Sequence, residues 1–134
     1  MRAITAESLH RAMAINAVGP ALLLKHFHAL LPRKERGVFA TLSARVGSIG
    51  DNRLGGWYGY RASKAALNQL LRTASIEIRR RRKLAICLAL HPGTVHTNLS
   101  ADFVAADKPG VFTPTQSAQK LLHVINQSTP EHNG

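Results

Sequence analysis

Cysteine, aromatic side chains and acidic residues are all scarce in this sequence. One cysteine, Cys87, in 134 residues excludes a disulfide scaffold and a cysteine-rich zinc module. No apolar run reaches the roughly 18 residues a membrane span needs, and Met1–Thr5 is not followed by a secretory hydrophobic region. The expectation is a cytoplasmic chain with no membrane partner. A hydrophobic content of 45% without low-complexity tracts excludes a disordered protein. What the chain has in excess is positive charge: 18 Lys+Arg against 7 Asp+Glu, or +11. Such a balance invites a polyanion. Part of it is the run Arg79–Lys83, placed at the end of a helical stretch where cations complement the dipole and a solvated end is expected. No aromatics interleave with that run and no helix-turn-helix or RNA-binding signature occurs, so no specific nucleic-acid partner is expected. The length allows one domain at most.

The order of elements is helix, strand, helix, strand, helix. Leu9, Met13, Ala17, Leu24, Phe27 and Leu31 recur at helical spacing and predict one helix from Ala6 to about Leu31, with Thr5 as N-cap. Pro20 has no N–H for the carbonyl four residues back, so Asn16 should own a free carbonyl in mid-helix. Val38–Ser43 reads as a strand buried on both faces. A long irregular segment follows, broken by Gly47, Gly50, Asp51, Asn52, Gly55 and Gly56, and such segments after a buried strand carry function more often than not. A second helix is predicted from Trp57 or Tyr58 to Arg82, its inner stripe formed by Tyr60, Lys64, Leu67, Leu71, Ala74 and Ile78. Leu84–Leu90 reads as another strand without polar alternation, then a turn at His91–Thr94, a variable segment to Thr113 and a third helix over Pro114–Asn126. This is an α/β pattern with a parallel sheet, whose ligand crevice lies beyond the carboxyl ends of the strands.

Chemistry-bearing residues gather at those ends. A tyrosine phenol titrates near pH 10, but a lysine ammonium one helical turn away favours the phenolate and fits the pair Tyr60 and Lys64 to move a proton to or from an alcohol oxygen. A serine hydroxyl nearby could hold that oxygen. The plain alternative is an amphipathic tyrosine beside a solvated lysine. His26 and His28 face different ways on a helix, so no metal site is expected. Cys87 reads as packing, His91 and His96 as turn histidines, and Trp57 either closes over a substrate or caps its helix.

Tyr60-Arg61-Ala62-Ser63-Lys64-Ala65-Ala66-Leu67-Asn68, together with Asn16-Ala17-Val18-Gly19-Pro20 before it and His91-Pro92-Gly93-Thr94-Val95-His96-Thr97 after it, resembles the classical short-chain dehydrogenase/reductase family. Ser43-Ala44-Arg45-Val46-Gly47-Ser48-Ile49 and Gly55-Gly56-Trp57-Tyr58 are similar to its C-factor and sniffer-type carbonyl reductases. The resemblance implies a Rossmann-type doubly wound parallel sheet and hydride transfer between NADP or NAD and a small-molecule carbonyl or alcohol. Tyr60 would be the general acid/base and Lys64 the group that lowers its pKa and holds the nicotinamide ribose. Asn16 would hold a relay water by its main-chain carbonyl. Pro92 and Gly93 would wrap the nicotinamide ring, with the Val95 backbone and the Thr97 hydroxyl on the carboxamide.

Two departures stand out. The family's catalytic serine falls three residues before the glycine matching Gly47, where this chain has Ala44; Ser43 is the favoured substitute and Ser48 the alternative. The chain also has no glycine-rich pyrophosphate turn; it starts at what resembles the family's fourth helix and stops before its last strand. Residues 1–134 are therefore expected to form a single partial domain, the catalytic half of the fold, with exposed helix faces. Weak or no activity is expected of it alone. The competing expectation is a noncatalytic remnant that binds or oligomerises, and a homo-oligomer through the two long helices is expected either way.

Overall fold

The computed structural model describes residues 4–98, 100 and 108–134. Thr5 caps α1 (Ala6–Met13) in a reciprocal box: its side chain accepts the Ser8 N–H and the Ser8 hydroxyl accepts the Thr5 N–H, both at 3.1 Å. The expected single helix continues through a π-helical turn, Ala14–Val18, into α2 (Gly19–Phe27). There the Gly19 N–H reaches five residues back, to the Ala14 carbonyl. Pro20 explains the widening, because its ring would press on the carbonyl of Asn16 in a regular helix. α2 tightens into a 3-10 turn, His28–Leu30.

Strand β1 (Gly37–Leu42) pairs in parallel with β2 (Ala85–Leu90), in register from Gly37 opposite Ala85 to Leu42 opposite Leu90. The long helix α3 (Tyr58–Arg79) connects them, and α4 (Pro114–Gln127) follows. Leu24 of α2 and Leu71 and Ile78 of α3 pack with Ala85 and Cys87 of β2. Ile86, Leu88 and Leu90 pack instead with Val38 of β1 and with Leu121 and Ile125 of α4. Helices thus pack on both faces of β2.

Four sequence expectations need correction. β1 is not buried on both faces, since Ala40 and Leu42 are exposed; among the described residues the sheet has only two strands and β1 lies at its edge. The turn expected at His91–Thr94 stops short of Thr94, where β3 (Thr94–Val95) pairs in parallel with β4 (Val111–Phe112). α3 ends at Arg79 rather than Arg82. Finally, the basic run is not all solvated. Arg82 is buried and its guanidinium donates to the Leu31 and Ala29 carbonyls at 2.8 and 3.0 Å, satisfying the end of the first helix. The expected exposed helix faces are present, with Ile15, Leu22, Leu23 and Leu30 on the first helix and Leu70 and Ile76 on α3 all open to solvent. Among the described residues no helix is long and apolar enough to cross a membrane.

Candidate active site

The carboxyl ends of β1 and β2 are held together where the Ser43 N–H donates to the Leu90 carbonyl at 2.7 Å. α3 is tied to the same place. Lys64 is only 8% exposed, and its Nζ donates to the Leu42 carbonyl at 2.9 Å. One turn further on, Asn68 Oδ1 accepts the Ser43 hydroxyl at 2.6 Å. Gly47 permits this closeness: a Cβ there would lie 2.9 Å from the Lys64 carbonyl carbon and 3.0 Å from the Asn68 amide nitrogen. The loop behind it is braced by an Arg45–Asp51 ion pair at 2.5 Å, in which the guanidinium's hydrogen bond, then its charge, holds the Asp51 carboxyl below its ordinary value.

Tyr60 stands one turn before Lys64, 44% exposed, with the Lys64 Nζ 5.8 Å from the centroid of its ring. Burial pushes the Tyr60 phenol up and the Lys64 ammonium down. Desolvation is the leading influence on the phenol here, and the Lys64 amine is engaged with the Leu42 carbonyl. The backbone of Tyr60 is fixed from below. Ser63, fully buried, donates its hydroxyl to the Tyr60 carbonyl at 3.0 Å and accepts from the Asn16 side-chain amide at 3.1 Å. Asn16, in the π turn, is thereby joined to the turn that carries Tyr60.

The serine candidates differ in what they can offer. Ser43 is buried and its proton is committed to Asn68. Ser48 is exposed and accepts the Asp51 N–H at 3.3 Å. Both line one open pocket of about 400 Å³ together with Ala44, Asn68 and His91. Burial first, and Arg45 second, push His91 below its ordinary value.

On the β2 side, Gly93 takes φ 80°, and a Cβ would fall 2.7 Å from the Phe112 ring, so both conformation and packing demand glycine. The Pro92 carbonyl accepts the Ser117 hydroxyl at 2.7 Å. Val95 is in β3, its carbonyl accepting from the Ser100 hydroxyl at 2.6 Å, and the Thr97 hydroxyl is 3.3 Å from the same Ser100 oxygen. In the variable segment before Thr113, positions 99 and 101–107 lie outside the described residues. Asn68 and Ser63 were missed as site residues. Asn68 could have been found by its spacing, four residues beyond Lys64 on the same helix face.

Residues 1–108 match the family model for short chain dehydrogenase; the chain belongs to that family. It is 35% identical over 127 residues to the C-signal protein of Myxococcus xanthus, covering 92% of this chain and 70% of that protein. The carbonyl reductase Sniffer of D. melanogaster superposes with a TM-score of 0.86 at 26% identity, over 99% of this chain and 55% of that one. An NADPH-bound carbonyl reductase from chicken fatty liver gives a TM-score of 0.86 at 26% identity, over 99% and 53%. The fold is thus α/β of the Rossmann-like type, and the chain spans about half the length of other curated relatives that it matches.

Proposed function

We propose that this chain carries the proton-transfer half of an NAD(P)-dependent oxidoreductase of the carbonyl reductase/alcohol dehydrogenase type, and that residues 1–134 act as one partial domain. The observation that supports it is the pairing of Tyr60 with a buried Lys64 one turn on, where β1 and β2 end. Tyr60 holds and moves the proton at the alcohol oxygen. A protonated phenol suits giving a proton to a carbonyl oxygen, and a phenolate suits taking one from an alcohol.

The residues present fit the nicotinamide-ribose end of the cofactor. The Lys64 ammonium has three donors and uses one on Leu42, so it can also hold the ribose. Pro92 and Gly93 would lie against the nicotinamide ring, with the Val95 backbone and Thr97 hydroxyl on its carboxamide. When bound, the cofactor supplies or takes the hydride. NADP is proposed with NAD as the alternative, in keeping with the NADPH-bound chicken relative. The glycines at 47, 50, 55 and 56 form no Gly-x-Gly-x-x-Gly turn, so the chain offers no counterpart for the pyrophosphate end.

Asn16 would hold a relay water on the carbonyl that Pro20 cannot satisfy. Ser43 keeps the role of substrate-oxygen donor only by exchanging its bond to Asn68, whereas Ser48 reaches the pocket without that exchange. A second reading, a noncatalytic binding or oligomerising module, is favoured by one observation: Ala44 stands where the usual serine would be. A homo-oligomer through the α1–α2 and α3 faces accompanies both readings.

The test uses Trp57 fluorescence to follow NADPH and NADH binding, then absorbance to follow cofactor oxidation with an aromatic ketone. Quenching at high cofactor concentration and slow oxidation are expected, with the oxidation rate falling about a hundredfold or more in Tyr60→Phe. Neither quenching nor oxidation with either cofactor would overturn catalysis and leave the module.

A further inference from the structure

The segment leading into α3 contains three left-handed residues in a row. Gly55, Gly56 and Trp57 have φ values of 66°, 72° and 49°. Glycine enters that region freely, whereas a bulky side chain makes it costly for tryptophan. A costly conformation persists only where surrounding contacts impose it, and here most come from one side chain. Arg61 Nε donates to the Gly56 carbonyl at 3.0 Å and to the Gly55 carbonyl at 3.3 Å, and Nη2 donates to the Gly55 carbonyl at 3.1 Å. The same guanidinium lies 5.5 Å from the centroid of the Trp57 ring. From the other side, Asn52 Oδ1 accepts the Gly55 N–H at 3.0 Å. The indole held in this way is 61% exposed, although tryptophan is on average highly buried. It stands one turn before Tyr60, and Leu54 and Tyr58 on the same segment are exposed with it.

We propose that Arg61 is a positioning residue that locks Gly55–Gly56–Trp57 in a left-handed turn and so presents the Trp57 indole, three residues before Tyr60, as the wall against which an aromatic carbonyl substrate lies. The identity of the ligand rests on the oxidoreductase reading of Tyr60; the clamp does not. Arginine is required because its planar fork meets two successive carbonyls, whereas a lysine ammonium is a point charge on a flexible stem. An indole face gains most from a second flat ring and less from a saturated one, which selects aromatic over aliphatic carbonyls.

Trp57 is the only tryptophan, so its fluorescence reports the turn in the full chain without any need for activity. Arg61→Lys and Arg61→Gln should each raise acrylamide quenching of Trp57 about twofold as the turn opens locally, with unchanged far-ultraviolet circular dichroism. Should Arg61→Gln fail to fold, Gly56→Ala loosens the same turn from within. A Cβ there meets nothing within 4 Å, so it disturbs only the backbone conformation. Parent-like quenching in the folded variants overturns the clamp. The wall is read by titrating the chain with acetophenone and cyclohexanone, followed by saturation-transfer NMR. Trp57→Ala should weaken acetophenone about fivefold, the size of one aromatic pairing, and cyclohexanone much less; unchanged acetophenone binding overturns the wall. Tyr60→Phe should slow turnover about a hundredfold or more while acrylamide quenching of Trp57 stays at the parent value. Acetophenone binding that depends on Trp57, with turnover in Tyr60→Phe equal to the parent's, overturns the role of Tyr60 and leaves the wall standing.

Discussion

Gly47 sits where the loop after β1 presses on α3, and its missing side chain sets how closely Lys64 and Asn68 approach the end of that strand. A Cβ would lie 2.9 Å from a backbone atom of Lys64, and backbone cannot swing aside as a side chain can. Gly47→Ala should cost about 1–3 kcal/mol, as overpacking does. Gly50→Ala, three residues away with nothing within 4 Å of its Cβ, should leave the urea midpoint unmoved. Equal midpoints for the two variants would remove the close approach from the account of the site. His91 gives a residue-scale pH dependence. Burial, then Arg45, push its folded pKa down, so the folded state resists the proton. As pH falls through about 6.5 the unfolded chain takes up that proton first, and stability declines until folded His91 has itself titrated. Urea midpoints at pH 7.5 and 5 should show this decline in the parent and a shallower one in His91→Gln.

At the scale of elements, β2 is hydrogen-bonded along both of its edges. One of its edges pairs with β1, and the other is met by a tail rather than a strand. The Cys87 N–H donates to Asn133 Oδ1 at 2.8 Å, the Asn133 amide donates to the Ser75 carbonyl at 3.1 Å, and the Gly134 N–H donates to the Cys87 carbonyl at 2.8 Å. Asn133→Ala leaves the buried Cys87 N–H without its acceptor and should cost about 1–3 kcal/mol. The thiol reports the same event. Burial raises its pKa to about 11, so it should resist thiol reagents at pH 8 in the parent and react faster in Asn133→Ala. An unchanged rate would show that the tail does not guard the strand. None of this tail was legible in the sequence, because Asn133 acts through one long-range contact and carries no periodicity. α3 and α4 were legible for the opposite reason: twenty-two and fourteen residues give a repeating apolar stripe time to declare itself. β3 and β4, two residues each, could not. Pro20 announced a break in the first helix but not its π form, and Tyr60 with Lys64 was readable as a helix face. The upward shift of Tyr60 was not, since it comes from burial rather than spacing.

For the whole molecule, two surface properties act against each other. The charge of +11 makes copies of the chain repel. Against this, Ile15, Leu22, Leu23 and Leu30 on the first helix and Leu70 and Ile76 on α3 are exposed, and apolar surface of this kind favours association. Salt separates the partners each property implies. Screening shortens the reach of charge from about 30 Å at 0.01 M to about 8 Å at physiological ionic strength, which removes repulsion between copies and leaves apolar burial untouched. A polyanion responds in the opposite sense, because its affinity comes from releasing counterions and falls steeply with added salt. Sedimentation of the purified chain at low and moderate ionic strength should therefore show self-association that strengthens with salt, while retention on heparin weakens. Leu23→Glu should weaken self-association at both ionic strengths and leave heparin retention close to that of the parent. Self-association that weakened as salt rose would mean that unlike charges, not the apolar faces, bring the copies together, and the helix-mediated oligomer would be lost.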